Sequence, residues 1–138
     1  MVEQLFKELQ YLNEADHERV ETTLLVAPNC LQDFLDYNQF LDVVDAVLDQ
    51  LDLNGIIQVA SFHPHYQFAD LDADDVRNYT NRSPHPTFHL ILEDSIEQAR
   101  ASYPDVDGIP DRNMQLLLEM GLAQAQRQLQ ACFEVEIE

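Results

Sequence analysis

Apolar positions change their period several times along the chain, and each change marks an element. Val2, Leu5, Phe6, Leu9 and Leu12 recur three and four apart. A turn of 3.6 residues puts them on one face, which predicts an amphipathic helix over residues 2–13. The polar run at residues 13–19 ends it. TTLLVA, residues 22–27, is β-branched and aliphatic without alternation and closes at Pro28, which predicts a strand buried on both faces. Asn29 and Gln32 have the spacing of a capping box. Phe34, Tyr37, Leu41, Val44, Leu48 and Leu51 then carry the clearest helical stripe, with Asp42, Asp45, Asp49 and Asp52 on the opposite, solvated face. Asn54-Gly55 stops this helix, and IIQVASF (56–62) and TFHLILE (87–93) are further strands. Asp94 with Glu97 caps a short helix that Pro104 ends, and Pro110 opens a longer one carrying Met114, Leu117, Leu118, Leu122, Ala125 and Leu129. Phe133, Val135 and Ile137 alternate with glutamates, the pattern of a terminal strand with one wet face or of an exposed tail.

After the first helix the order is strand, helix, strand, strand, helices, strand. This predicts one α/β domain over residues 1–138, a mixed sheet of about four strands flanked by helices, with a split βαβ or ferredoxin-like core. A right-handed crossover makes the strands at 22–27 and 56–62 parallel, and the third returns antiparallel beside one of them. The chain positions Pro28, His63 and Thr87 then meet at one end of the sheet, where ligands sit in α/β folds. Residues 63–86, with Pro64, Pro84 and Pro86, form a connection longer than the ~15 residues of idle loops. It is either functional or disordered.

Composition narrows the function classes. The 138 residues suffice for one hydrophobic core, and 46% of them are apolar. Twenty-six Asp and Glu against seven Lys and Arg give a net charge of -19. That surface repels phosphate backbones and anionic lipid headgroups, so neither nucleic acid nor membrane is an expected partner. No apolar run reaches the ~20 residues of a bilayer span, and no signal-peptide core opens the chain. A cytoplasmic protein, monomeric or homodimeric, is the expectation. Cys30 and Cys132 lack CxxC spacing, which excludes a disulfide framework or zinc knuckle, and Cys30 reads as a small buried residue.

Four of the five histidines, His63, His65, His85 and His89, flank the long connection. Between them NYTNRSP (78–84) concentrates Arg82, the amides Asn78 and Asn81, and two hydroxyls. A fixed cation among hydrogen-bond donors suits a carboxylate or phosphate ligand. Three chemistries compete. His63, His89 and Glu93, with Asp36 as a fourth group, could hold a divalent metal cofactor such as zinc, iron or manganese, although the spacing matches no ligand motif. His63 or His89 could be the catalytic acid or base, with Arg82, Asn78, Asn81, Ser61, Tyr66, Asp36 and Asn38 binding an anionic small-molecule substrate. Alternatively His89 is a hydrogen-bonded core residue and Arg82 merely orders its loop. Asn38 interrupts the apolar side of its helix, so it either reaches the loop or marks the stripe's edge. The Asp70, Asp72, Asp74, Asp75 run has Asp75 where a calcium loop requires Gly and Asn81 where it requires Glu, which excludes an EF-hand. Nucleotide-cradling and nucleophile-elbow motifs are absent from the sequence. The readings that stand are a small-molecule enzyme, a metabolite- or metal-binding module, and a protein-interaction domain.

ETTLLVAP (21–28), DFLDYNQFLD (33–42), QVASFHPHYQFAD (58–70), NYTNRSPHPTFHLILEDSI (78–96) and IPDRN (109–113) resemble an uncharacterised bacterial and plastid family, one of the domains of unknown function. The resemblance runs from about Glu21 to Asn113 and implies no established reaction. It places Asp36, Asn38, Ser61, His63, Tyr66, Asn78, Asn81, Arg82 and His89 in family motifs, and His85 where the family favours Tyr. It also implies a preceding segment with tryptophan and Cys-Pro-Phe, ahead of the first helix, that could complete a site.

Overall fold

The structure, a computed structural model, describes residues 1–134. Three strands form its sheet: β1 (Thr22–Val26), β2 (Ile57–Phe62) and β3 (Thr87–Leu92). Their order is β1-β3-β2, and β3 is antiparallel to both neighbours. The expected third strand is thus the central one, inserted between two parallel strands as a split βαβ unit requires. The crossover between β1 and β2 is α2 (Phe34–Gln50), preceded in the chain by α1 (Val2–Glu14).

Among the described residues, helices cover one face only. Leu5, Leu9 and Leu12 of α1, and Tyr37, Val44, Val47 and Leu48 of α2, pack on Ile57, Phe88, Leu90 and Leu92 in a single core. Each such side chain contributes roughly 1.5–3 kcal/mol when removed from water. On the other face Thr22, Leu24 and Val26 stand in register with Ile91, His89 and Thr87. β2 adds Gln58, Ala60 and Phe62 to the same rows. This corrects the reading of residues 22–27 as a doubly buried strand. β1 is an edge strand whose Leu24 and Val26 are 62% and 47% exposed.

Local signals differ from expectation where side chains choose other partners. α2 is capped by Asp33, whose carboxylate accepts from the Leu35 and Asp36 amides at 2.8 and 3.1 Å. Gln32 instead donates to the Pro28 and Cys30 carbonyls. Cys30 is exposed rather than buried. The helix α3 (Glu93–Ser102) starts directly from β3 with no side-chain cap, so Asp94 and Glu97 make no capping box. The single long helix expected after Pro110 is two, α4 (Ile109–Met120) and α5 (Leu122–Ala131). Gly121 divides them with φ +86° and ψ 156°, a backbone state essentially restricted to glycine. The expected terminal strand falls mostly outside the described residues, which hold three strands where about four were expected.

The long connection is ordered by a short 3₁₀ helix, Val76–Asn81, capped by the Asp75 carboxylate on the Arg77 amide. α4 and α5 pack beside this turn and, among the described residues, leave the outer sheet face open.

Candidate functional site

Val26, Thr87 and Phe62 occupy one row across the sheet, so the chain leaves β1 and β2 and enters β3 at the same end. Most of the donor-rich residues singled out in the sequence gather there. His63 follows Phe62, is fully buried, and lies beside the Tyr37 and Phe34 rings at centroid distances of 5.0 and 5.3 Å. Its Nδ1 accepts the His65 amide at 3.0 Å, so its Nε2 carries the proton and donates to the Leu31 carbonyl at 2.9 Å. Leu31 turns its carbonyl there from a left-handed conformation, φ 58°, that ordinarily disfavours a leucine. Burial holds the His63 pKa below the usual imidazole value, the Leu31 contact opposing it and His65 adding to it.

The amides and Arg82 tie the connection to itself. The Asn78 amide, fully buried, accepts from the Phe68 N–H at 3.0 Å and donates to the Asp72 carbonyl at 2.7 Å. Asn81 Nδ2 donates to the Ser61 carbonyl at 2.9 Å, and the Asn81 carbonyl accepts from the His63 amide at 3.1 Å. Arg82 donates through Nε to the Tyr66 carbonyl (3.1 Å) and through Nη2 to the Ala73 carbonyl (3.0 Å), with its guanidinium 4.6 Å from the Tyr79 ring centroid. His63, Ser61, Tyr66, Asn78, Asn81 and Arg82 therefore come together, and much of their hydrogen-bonding capacity is spent on backbone groups.

His89, Asp36, Asn38 and Glu93 do not join them. His89 stands on the open face of the sheet, where its Nε2 lies 2.5 Å from Thr22 Oγ1. Burial lowers its pKa as well. Asp36 and Asn38 are exposed on α2. Glu93 begins α3 at the far end of the sheet, next to Leu92, which pairs with Ile57. The length of β2 separates that end from His63, on the order of 20 Å at 3.3 Å per residue. A metal held by His63, His89 and Glu93 is excluded by that geometry, since ligating atoms lie ~2 Å from a shared ion. Among the described residues no group of three or more His, Cys, Asp or Glu could hold a metal ion.

Two grooves flank Arg82 where α5 packs beside the connection. One, of about 460 Å³, is lined by Pro64, His65, Tyr79, Arg82, Gln126, Leu129, Gln130 and Phe133. Its neighbour, about 340 Å³, shares Tyr79, Arg82 and Leu129 and adds Pro84, Leu117, Ala125, Gln128 and Cys132. Among the described residues no carboxylate lines either one. By contrast Asp16, Glu18, Glu21 and Asp94 line the groove between the end of α1 and α3. The sequence carried no signal for Gln126, Gln128 and Gln130, which read as ordinary polar positions of a surface helix until α5 is placed against the connection.

Residues 1–127 match the family described as "Protein of unknown function (DUF1415)". The chain belongs to that family. The match takes in α1 and most of α5, and so extends beyond the motifs at 21–113 that carry the resemblance in sequence. No curated protein and no solved structure matches the chain. Among the described residues no helix is long and apolar enough to cross a membrane.

Proposed function

We propose that this protein is a binding domain for a small carboxylate- or phosphate-bearing metabolite, held against Arg82 in the groove between the 63–82 connection and α5. One observation carries the reading: in a chain of net charge -19, Arg82 has no carboxylate partner among the described residues, and no described residue lining its groove is an Asp or Glu. Arg77, Arg100 and Arg112 are each paired with an aspartate, and Arg19 and Arg127, which also have no carboxylate partner among the described residues, line neither groove. The contacts of Arg82 to the Tyr66 and Ala73 carbonyls hold the guanidinium in place without cancelling its charge. Such preorganisation lowers the entropy lost on binding an anion. The side-chain amides of Gln126 and Gln130 supply neutral donors on the opposite wall. A groove of this size falls within the range of small-molecule sites.

Binding is favoured over turnover because both His63 ring nitrogens are engaged. An imidazole that accepted a proton at Nδ1 would face the His65 N–H donor, so His63 is a poor acid or base in this fold.

Titration with inorganic phosphate and with succinate, followed by the backbone amide NMR signals of residues 126–130, Tyr79 and Arg82, tests the reading. Saturable shifts confined to the groove are expected. Arg82→Gln should weaken binding by at least about tenfold, the worth of a charge-assisted hydrogen bond. Because Arg82 also orders its loop, the double variant Gln126→Glu/Gln130→Glu provides a second arm, placing repulsive carboxylates at exposed positions. Unsaturable shifts, or binding that survives the double variant, would refute the proposal.

A further inference from the structure

The open face of the sheet holds a different kind of concavity. Residues 83–85 rise beside the ends of the strands and enclose, with Leu24, Val26, Phe62 and His89, a groove of about 410 Å³. Among the described residues no Asp, Glu, Lys or Arg lines it. Its walls are aliphatic and aromatic, and its polar groups are mostly committed: Ser83 and Thr87 both donate their hydroxyls to the His85 carbonyl, at 2.6 and 2.9 Å.

The rings of His85, which stands edge-on to Phe133 at 5.6 Å between centroids, and of His89 are the exceptions, and the protonation of His89 is set by a neighbour. The single hydroxyl proton of Thr22 is donated to the Leu90 carbonyl at 2.9 Å. Thr22 Oγ1 must therefore accept from His89 Nε2, 2.5 Å away, which puts the ring proton on Nε2. Nδ1 is left as a lone-pair acceptor with no partner among the described residues. It is not sealed from solvent either, since no buried side-chain nitrogen or oxygen among the described residues lacks a hydrogen bond. Burial disfavours the imidazolium, so the ring stays neutral at pH 7.

We infer that this face is a second ligand site, where an uncharged aryl or alkyl compound lies against Leu24, Val26 and Phe62 and donates an O–H or N–H hydrogen bond to His89 Nδ1. The chemistry is the inverse of the Arg82 groove. At His89 Nδ1 a carboxylate or phosphate brings a lone pair to a lone pair and is disfavoured, whereas a hydroxyl or ring N–H satisfies the acceptor while its apolar body leaves water. A mostly apolar pocket with one oriented polar group is the common form of a small-molecule site.

Phenol, anisole and benzoate separate the contributions, because anisole keeps the ring without a donor and benzoate replaces the donor with an anion. On the full chain, phenol should shift the His89 ring and the Leu24 and Val26 methyl signals saturably. Anisole should bind about tenfold more weakly, the order expected for one neutral hydrogen bond, and benzoate should not bind. In His89→Phe, phenol and anisole should bind equally. Leu24→Asp, at an exposed position that leaves the core untouched, should abolish both. The nitrogen chemical shifts of His89 in the free protein report the tautomer directly. A proton on Nδ1, equal affinity of wild type for phenol and anisole, or absence of saturable shifts would each overturn the assignment. So would a dimer in sedimentation that Leu24→Asp dissolves and phenol does not disturb, because the face would then be covered by a second copy.

Discussion

The Tyr37 hydroxyl donates to the Thr87 carbonyl at 2.6 Å while accepting the Phe62 amide at 3.1 Å. One side chain of α2 thus joins the end of β2 to the start of β3, at the row where the long connection leaves and returns. Burial raises the phenol's pKa above its usual value, so the group remains a donor throughout the range in which the protein is studied.

Tyr37→Phe keeps the ring stacked on Phe88, 4.9 Å between centroids, and removes only the oxygen. The Thr87 carbonyl and the Phe62 amide both lose this partner. A loss of about 1–3 kcal/mol in unfolding free energy is expected, the cost of leaving buried polar groups unsatisfied. Urea unfolding measures it, and a change within about 0.5 kcal/mol, the scatter of neutral surface substitutions, would show that the bridge contributes nothing.

Acid should destabilise the fold through His63. Its pKa is lowered by burial in the folded chain and is near ~6.5 when unfolded. As pH falls through that unfolded value, the unfolded state takes up the proton first, so unfolding is favoured. The contribution is fully present above the unfolded value and is lost as pH drops toward the lowered folded value. His89 acts in the same direction. Each such proton adds a slope of up to about 1.4 kcal/mol per pH unit. Unfolding free energies measured across this window should fall less steeply in His63→Gln than in wild type, and identical slopes would assign the acid sensitivity elsewhere.

Gly121→Ala tests the break between α4 and α5. A Cβ there meets nothing within 4 Å, so steric room is not the issue. The cost lies in the backbone, whose φ of +86° with ψ 156° strains any L side chain by about 1–3 kcal/mol. The variant should unfold more easily by that amount and weaken phosphate binding at Arg82, because α5 forms one wall of the groove. Unchanged stability with unchanged binding would mean that the two helices can rejoin without disturbing the wall.

Periodicity located α1 and α2, because each buries a face whose spacing is written in the side chains, and short aliphatic and β-branched runs bounded by turn residues located the three strands of the described sheet. The gathering of His63, Asn78, Asn81 and Arg82 was legible too, since parallel β1 and β2 with an antiparallel β3 bring Pro28, His63 and Thr87 to one end whatever the details. Tertiary structure decided the roles of those residues. Whether a histidine is free to act depends on which backbone groups reach its two nitrogens, and for His63 the answer lies with Leu31 and His65 rather than with any periodic pattern. The exposure of Leu24 and Val26 was likewise invisible, because an unalternating aliphatic strand reads the same whether a sheet face is covered or bare. Gln126 and Gln130 became groove residues only when the glycine break set α5 beside the 3₁₀ turn. Local pattern determined where apolar surface must be buried, and long-range contacts determined which polar groups remained unspent.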